Sequence, residues 1–486
     1  MKTNTALLAL TLGASLILTP SLLAGTGSSN TSTSLSEAIS KALAHDPTLR
    51  KVRADTAEAQ GYVREVRADR LPQVTLGGSA GAAYRDRSID GVATGGNTLF
   101  SRSINIVGRQ LLTDFGYSRL RQMDAKQRLI ARDLLDRAQR ENTALNTIEA
   151  YLDVVRAERQ ITLAEENVDQ HKKVLGLSTD RAKAAGNQAD VELSNARYNL
   201  ASTMLRERRL ALAQARAVLF RYTGEELGSL SMPTAPRISS RDEIDPTRNW
   251  HYQAALKQLE AAKLEKESMK RKYGPRIFLE VSGALGEDVL GIEGRDNATS
   301  AMVVFSWDLF DGGRRKGQVE QAIADIIRQE AIIQETLVLL DQDIDARWSD
   351  YVTINERIKI FKEYDGSLQK TVGLYKEQFD LGTRPLLSML DVQNEHTSAL
   401  IRLEDERREQ ASLAYRLLFF AGRLIPETLG DDSVAPPPIS FETTSDKPES
   451  SANIAEPERM SIVPEESKSS AFGRDKYKVS AFAPPQ

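Results

Sequence analysis

The amino-acid sequence contains no cysteine, which excludes disulfide bonds, thiol catalysis and cysteine-ligated metal sites. Histidine is scarce too: there are four, and none has a second histidine at the spacing of a metal-ligating pair. Basic and acidic residues nearly balance, 64 against 68, so the chain lacks the strong basic bias of a nucleic-acid-binding protein. From these absences we expect no metal, no cofactor and no nucleic-acid partner.

Long hydrophobic runs are also missing beyond the first 25 residues, where no segment approaches the roughly 18 apolar residues of a membrane-spanning helix. Residues 1–25 begin with one lysine, continue with an apolar stretch and end in small, turn-forming residues. This pattern is typical of a cleaved secretory signal peptide, with cleavage after Ala24 or after Gly27. Thr26 stands where a lipid-modified protein needs cysteine, so we expect no lipid anchor. Any membrane crossing would have to be made of strands.

The mature chain runs twice through the same plan, which indicates an internal duplication. Asp114-Phe115-Gly116 is echoed by Asp311-Gly312-Gly313, and Gly186 is echoed by Gly382 at nearly the same separation. A Ser-, Pro- and Asp-rich stretch separates the halves, and Pro, Ser and acidic residues dominate the C-terminus. We predict a first repeat over 35–228, a linker over 229–246, a second repeat over 247–426, and a disordered tail over 427–486.

Each predicted repeat contains one very long helix. Neither 117–175 nor 318–365 contains glycine or proline, and both show the three-four alternation of apolar residues that coiled coils have. A helix from Gly116 to Ala185 would be roughly 100 Å long. That length matches the combined length of the shorter helices predicted over 35–70 and 190–223. We therefore predict that two short helices, stacked end to end, lie along each long one.

Strand-like alternation precedes each long helix and predicts β-hairpins over about 73–112 and about 276–310. Their strands have the roughly 9–11 residues that a tilted membrane strand requires. Four strands cannot close a barrel, and an open sheet edge in lipid leaves backbone groups unpaired. The predicted fold class is therefore mainly α with membrane β. Three protomers would share a β-barrel of about 12 strands, four from each, and their long antiparallel coiled-coil helices would form an α-barrel; a dimer's eight strands would leave no open bore.

The order of these features resembles the TolC-like outer-membrane efflux and secretion channels, also called outer membrane factors. The resemblance covers about 35–426 and includes Asp114-Phe115-Gly116, Asp311-Gly312-Gly313-Arg314, and Gly382-Thr383-Arg384 ahead of Asp391. It implies a homotrimeric, passive exit duct without enzyme activity. It places the barrel in the outer membrane, and the helical tunnel and C-terminal tail in the periplasm. The implied partners are outer-membrane lipid, a periplasmic adaptor (membrane fusion) protein, and an inner-membrane ABC or proton-driven transporter used in efflux or type I secretion.

The resemblance also implies a periplasmic gate at the two turns that join each long helix to its shorter partner, here 184–190 and 381–391. Arg384 matches an arginine that ties the inner helix pair to its neighbours. Asp391 matches an aspartate of a constricting acidic ring. Three such carboxylates held close together would bind cations.

Three further gate candidates follow from the same resemblance. Ser388 stands where the family often has a second ring aspartate, which would make the acidic constriction weaker here. Either Asp190 or Glu192 would be the acidic partner of Arg384. The alternative for Arg384 is an ordinary exposed arginine that follows a helix-breaking glycine.

Aromatic residues near the ends of the predicted strands are candidates for membrane-interface anchors, because such residues favour the boundary between lipid and water. Packing in a protein core is the alternative. These residues are Tyr84, Phe100, Phe115, Phe305, Trp307 and Phe310.

Two other functional classes remain to be weighed. A periplasmic coiled-coil adaptor or scaffold would have the long helices but no membrane barrel. An enzyme is not supported by any motif. Asp114-Phe115-Gly116 resembles a kinase motif, but no catalytic loop and no glycine-rich loop accompanies it. We expect that triplet to be a strand-to-helix turn in which the aspartate caps the helix.

Overall fold

A computed structural model describes residues 33–85, 88–89, 92–93, 96–185 and 187–430. The predicted signal peptide with both cleavage positions, Gly186 and the tail beyond 430 lie outside the described residues. Eight α-helices and six β-strands make up the described part. In chain order they are α1 (Leu35–His45), α2 (Pro47–Ala68), β1 (Gln73–Arg85), β2 (Ser88–Ile89), β3 (Val92–Ala93), β4 (Asn97–Thr113), α3 (Tyr117–Ala185), α4 (Gln188–Thr223), α5 (Trp250–Arg271), β5 (Arg276–Glu287), β6 (Arg295–Ser306), α6 (Arg314–Asp380), α7 (Leu386–Phe420) and α8 (Leu424–Leu429).

Both long helices begin at the same kind of turn. The Asp114 carboxylate accepts hydrogen bonds from the backbone N–H of Gly116 (3.1 Å) and of Ser118 (2.8 Å). In the second repeat Asp311 accepts the equivalent bonds from Gly313 (3.0 Å) and Arg315 (2.9 Å). A capping carboxylate satisfies N–H groups that have no partner inside the helix. The predicted strand-to-helix turn is confirmed in both repeats.

The helix predicted over 35–70 is in fact two helices, α1 and α2. Asp46 lies between them, and its side chain accepts a hydrogen bond from Thr48 N–H at 2.9 Å. Pro47 opens α2, where its missing N–H costs nothing because that group would be unpaired anyway. The break turns the chain and lets α1 pack separately against α3.

Two other predicted boundaries were wrong. The second hairpin ends at Ser306 instead of 310, because Ser306 pairs with Arg276, the first residue of β5, and no partner strand extends further. The second repeat also continues past 426: α8 runs to Leu429, three residues into the predicted tail. Leu429, the last residue of α8, packs against the apolar core, which a disordered tail could not do.

α2 and α4 follow one another along one side of α3. Asp69, directly after α2, pairs with Arg121 near the start of α3 (3.0 Å), and Arg209 of α4 pairs with Glu165 in the second half of α3 (2.8 Å). The predicted end-to-end stacking is thus confirmed for the first repeat.

α5 and α7 follow one another along the other side of α3. Arg128 of α3 pairs with Glu265 of α5 (2.6 Å), and Gln160 of α3 donates to Asp405 of α7 (2.8 Å). α6 lies beyond both and packs against α5 and α7. The lateral order is therefore α2/α4, α3, α5/α7, α6.

The larger sheet has the antiparallel order β1-β4-β5-β6. This order repeats the lateral order of the helices, because β1 follows α2, β4 precedes α3, β5 follows α5 and β6 precedes α6. The outer strands β1 and β6 therefore belong to the same two sides of the protomer as α2 and α6.

The main apolar cluster surrounds the middle of α3, where α1, α7 and α8 converge. Tyr151 is fully buried there. Its hydroxyl accepts a hydrogen bond from Ser231 N–H (3.0 Å) and donates to the Thr33 carbonyl (2.9 Å). The linker between the repeats is thereby held at the centre of the protomer. Among the described helices, none combines the length and the apolar character needed to cross a membrane.

Candidate functional site

The four-stranded sheet has two faces of different chemistry. Residues that pair across neighbouring strands share a face, so Leu76, Ile106, Ile104 and Leu285 lie on one side. Large apolar side chains are exposed on this face, which we call the apolar face. They are Val74, Leu76, Ile104, Ile106, Leu279, Val281, Leu285, Val303 and Phe305.

The opposite face is richer in polar groups, and we call it the polar face. Hydroxyl pairs cross between its strands: Ser79 with Ser103 at 2.9 Å, and Ser282 with Ser300 at 2.7 Å. Arg109 and Glu280 form a partly exposed charged pair on this face. The guanidinium of Arg109 also lies 3.9 Å from the centre of the Phe278 ring. The sheet therefore separates an apolar environment from a hydrophilic one.

The six aromatic candidates fall into two groups at opposite ends of the sheet. Tyr84 and Phe100 lie on the apolar face near the β1–β4 connection, at the end away from the helices. The other four lie near the helices: Phe305 at the end of β6, and the rest in the strand-to-helix connections. Phe115 therefore lies at the same end of the sheet as Trp307. All six side chains are at least half exposed, so none is a core residue of the protomer.

At the far end of the helices, the two helical hairpins pack against each other. We call residues 174–197 and 379–391 the turn end. Side chains from α3, α6 and α7 form a buried apolar cluster there, and Leu193 of α4 packs against it. The cluster consists of Val174, Phe379, Leu386, Met389 and Leu390.

Arg384 is fixed to its own hairpin. Its guanidinium lies 3.5 Å from the centre of the Tyr375 ring, and its Nε donates to the side-chain oxygen of Gln378 at 2.7 Å. Both partners belong to the last turns of α6. Gly382 makes this approach possible, because it adopts a positive φ of 76° as the helix ends.

The predicted acidic partners of Arg384 lie elsewhere in the protomer. Asp190 accepts a hydrogen bond from the Asn187 side chain (2.6 Å) in the first turn of α4. Glu192 is exposed, and Ser388 is partly buried on α7. Among the described residues, neither carboxylate forms an ion pair with Arg384. Their pairing remains a prediction for contacts between protomers.

Asp391 does have a cationic partner, Arg197, which the sequence reasoning missed. The two side chains approach to 2.7 Å and join α7 of the second repeat to α4 of the first. Asp391 stays about half exposed. The pair could not be read from sequence, because it depends on the register between two helices that are almost 200 residues apart in the chain.

A second link between the repeats involves Arg181, which sequence reasoning also missed. Its guanidinium lies 4.1 Å from the centre of the Phe379 ring and donates to the Phe379 carbonyl at 3.4 Å. It is also 4.0 Å from the Asp380 carboxylate. Cation–π and charge-assisted contacts of this kind can be broken and remade without covalent chemistry. Contacts of this kind hold the two hairpins together at the turn end.

Within the described ranges, no group of three histidine or carboxylate side chains stands close enough together to hold a metal ion. The turn end offers cations, carboxylates and stacked rings.

Comparison with known proteins agrees with this arrangement. Residues 38–225 and 247–423 match the family model of outer membrane efflux proteins, one segment in each repeat. The outer membrane efflux protein BepC of Brucella suis biovar 1 (strain 1330) is 22% identical over 335 residues, 68% of this chain and 74% of that protein.

Solved structures share the fold. The outer membrane protein VceC from Vibrio cholerae superposes with a TM-score of 0.68 at 20% identity, covering 80% of this chain and 96% of that one. CusC, a protein described as forming a transmembrane channel, gives a TM-score of 0.70 at 17% identity, with 80% and 91% covered.

Proposed function

The chain belongs to the outer membrane efflux protein family, and on that premise we propose that it works as a homotrimeric, passive exit channel of the outer membrane. The observation that carries the proposal is the shared lateral order of helices and strands. α2, α4 and β1 stand at one end of this order, and α6 and β6 stand at the other. A second copy can therefore extend the helical wall and the sheet at the same time.

The two faces of the sheet fit a barrel wall. The apolar face would contact outer-membrane lipid, and the polar face would line a water-filled lumen. From Arg295 to Phe305 a strand of this sheet rises roughly 33 Å. At the usual tilt of barrel strands this corresponds to a height of roughly 25 Å, with the charged group Arg102, Glu287 and Arg295 at the end away from the helices. The two aromatic groups would then lie at the two membrane boundaries.

Exposed apolar side chains on α6 support the lateral contact. Ile327, Val338, Ile360 and Leu374 are each more than half exposed in the single chain. Large apolar side chains on one helix are usually covered by a partner. In a closed ring, α6 would meet α2 and α4 of the next copy, and three copies would supply about 12 strands.

The turn end is the proposed gate. Arg384, Asp391, Ser388 and either Asp190 or Glu192 would meet their counterparts in the other protomers around the axis. Arg197 compensates the charge of Asp391 in each copy, so the acidic ring would attract cations less than three bare carboxylates would. Opening requires interactions at the turn end that a periplasmic adaptor protein can outcompete.

The remaining partners follow from the family. An inner-membrane ABC or proton-driven transporter would supply the energy, in efflux or in type I protein secretion, and the chain itself would catalyse no reaction. A coiled-coil scaffold without a barrel is less well supported, because it would not require a four-stranded sheet with an exposed apolar face.

The gate is tested by single-channel recording in planar lipid bilayers. Arg384→Ala removes the stacking on Tyr375 and the bond to Gln378, so conductance should rise severalfold. Arg402→Ala, which removes an exposed arginine from the middle of α7, is the matched control and should leave conductance unchanged. Equal conductance in both variants would remove Arg384 from the gate. A purified protein that stays a water-soluble monomer without pore activity would overturn the proposed function itself.

A further inference from the structure

A layer of buried polar side chains lies between α3 and α7, next to the apolar cluster of the turn end. It consists of Asn167 and His171 on α3 and Gln393 and Thr397 on α7, and we call it the polar layer. Each side chain is at most 7% exposed. α3 belongs to the first repeat and α7 to the second, so the polar layer lies on the boundary between the repeats.

Thr397 and Asn167 set the register of the polar layer. The Thr397 hydroxyl lies 3.2 Å from the side-chain oxygen of Asn167 and 3.1 Å from the Gln393 carbonyl of its own helix, and it can donate to either. α3 runs toward the turn end and α7 away from it, so the helices are antiparallel. His171 lies one turn beyond Asn167, and Gln393 lies one turn before Thr397. His171 and Gln393 therefore occupy facing positions.

Polar atoms of His171 and Gln393 lack hydrogen-bond partners in the part of the chain that the structure describes. His171 Nδ1 and the side-chain oxygen of Gln393 are shielded from solvent, and neither makes a hydrogen bond within the described residues. A buried polar atom that has lost water without gaining a partner weakens the packing around it. The apolar cluster on one side of the pair has no such defect. This pair is therefore a weak point of the boundary between α3 and α7, next to the turn end.

Charge around His171 makes the weakness sensitive to protonation. Burial lowers the pKa of His171, and the positive charge of Arg197 on α4 lowers this pKa further. Arg197 is ion-paired with Asp391 of α7. A protonated imidazole would have to be accommodated beside this arginine without water.

The other charged groups near these helices point elsewhere. His396 of α7 faces Asp365 of α6 at 3.0 Å, inside the second repeat. On α3, Lys172 is exposed, and Lys173 pairs with Asp169 of the same helix at 2.6 Å. From α4, the nearby Ser194 and Ala201 are uncharged, and both are buried. Arg197 and Asp391 are thus the charges that bear on His171.

We propose that the polar layer is the seam along which the two repeats part when the turn end opens, and that acidification loosens it. The proposal rests on the proposed function, because it takes the turn end as the gate. The direction follows from linkage. The folded pKa of His171 lies below the ordinary value of about 6.5, so the packed layer has its full stability above that pH. This stability is lost as the pH falls below the ordinary value and toward the lowered one.

The test uses His171→Gln in the full-length protein, with two measurements between pH 7.5 and pH 5. One is the thermal midpoint of unfolding in detergent, and the other is single-channel conductance in lipid bilayers. For the natural protein, the midpoint should fall and the conductance should rise severalfold on acidification. In His171→Gln both changes should be reduced, because glutamine does not titrate and its amide can donate to Gln393. His396→Gln is the matched control and should keep the natural pH dependence.

A lock across the seam gives a second test that does not depend on the folding of the first variant. The chain has no cysteine, so an introduced pair has no competitors. Asn167→Cys with Thr397→Cys places a disulfide between the repeats. Oxidation should hold conductance low at pH 5, and reduction should restore acid opening. Ser178→Cys with Ser194→Cys is the control, since those hydroxyls are 2.9 Å apart inside the first repeat. Its disulfide should not prevent opening.

The outcomes separate this proposal from the proposed function. A protein that forms no pore at any pH would overturn the proposed channel function. The thermal midpoints would still test whether acidification loosens the polar layer. Normal pores with the same pH profile in the natural protein and in His171→Gln would overturn the seam. Acid opening of the oxidised Asn167→Cys/Thr397→Cys protein would overturn it as well.

Discussion

The two long helices have the same plan in sequence but different surroundings in the protomer. α3 has 69 residues and α6 has 67, and both begin at an aspartate-capped turn. α3 packs against α1, α2, α4, α5, α7 and α8. The main helix neighbours of α6 are α5 and α7. One long helix is therefore central, and the other forms an edge.

Burial follows from this difference in position. Ile148, Tyr151 and Leu152 of α3 are almost completely buried. On α6, Ile344 is as deeply buried, but Val338 and Leu339 are more than half exposed. Both helices carry similar amounts of apolar side chain, so the surplus on α6 has no partner within one chain. A duplicated repeat can thus supply a core in one copy and an interface in the other.

The largest expected effect is in the core of α3. Leu152→Ala should lower the free energy of unfolding by about 2–5 kcal/mol, because it leaves a cavity in a tightly packed cluster. Leu339→Ala is the same change on α6 and should cost the dissociated protomer no more than about 0.5 kcal/mol. Thermal or urea unfolding followed by circular dichroism measures both. Similar losses would show that α6 is packed as deeply as α3 within one chain.

A smaller effect is expected at the exposed edge. Val338→Asp should leave the unfolding of the dissociated protomer nearly unchanged but weaken the trimer by roughly 1–3 kcal/mol for each contact, because it buries an unpaired carboxylate. Ala346→Asp adds the same charge about 80° around the helix and should matter less. Trimer dissociation on heating in detergent is the measurement. If both variants dissociate like the natural protein, Val338 is not covered by a second copy.

The smallest effect concerns Glu141, a buried carboxyl group on the central helix α3. Glu141 of α3 accepts hydrogen bonds from the backbone N–H groups of Leu424 (3.1 Å) and Ile425 (3.2 Å), and so holds the start of α8. Burial raises the pKa of Glu141 to about 7, above its ordinary value. A raised carboxyl pKa means that docked α8 gains stability as the pH falls through about 7 toward the ordinary value.

Glu141→Gln tests this dependence. The variant should lose most of the stability difference between pH 5 and pH 8 that Glu141 contributes, because its side chain does not titrate. Proteolytic release of the segment after α8, followed at both pH values, reports the docking. Glu149→Gln is the control on the same helix, since that carboxylate is partly exposed and bound to Arg416 at 2.6 Å. An unchanged pH dependence in Glu141→Gln would show that another group is responsible.

Much of the fold could be predicted because it depends on local patterns. The absence of glycine and proline and the apolar alternation predicted α3 and α6, and Asp114 and Asp311 predicted their starts. The break at Asp46 and the end of β6 at Ser306 were missed. The first depends on one capping side chain, and the second depends on where the partner strand begins.

The gate candidates show the same division. The resemblance to the TolC-like channels was what singled out Arg384 and Asp391. The partners of those residues were not predictable, because Tyr375 and Arg197 are reached only through the packing of the hairpins. Arg181 and His171 gave no recognisable signal in the sequence, since an arginine or a histidine on a long polar helix is usually exposed.

The sequence by itself determined the repeat plan, the long helices, the strands with one apolar face and the turns that cap each helix, because all of these follow from spacing along a single chain. Only the tertiary structure decided that α3 is central and α6 is an edge, that Asp391 pairs with Arg197, and that Asn167 meets Thr397. These contacts join segments far apart in the chain, and their register depends on how whole helices pack. No local pattern encodes that register.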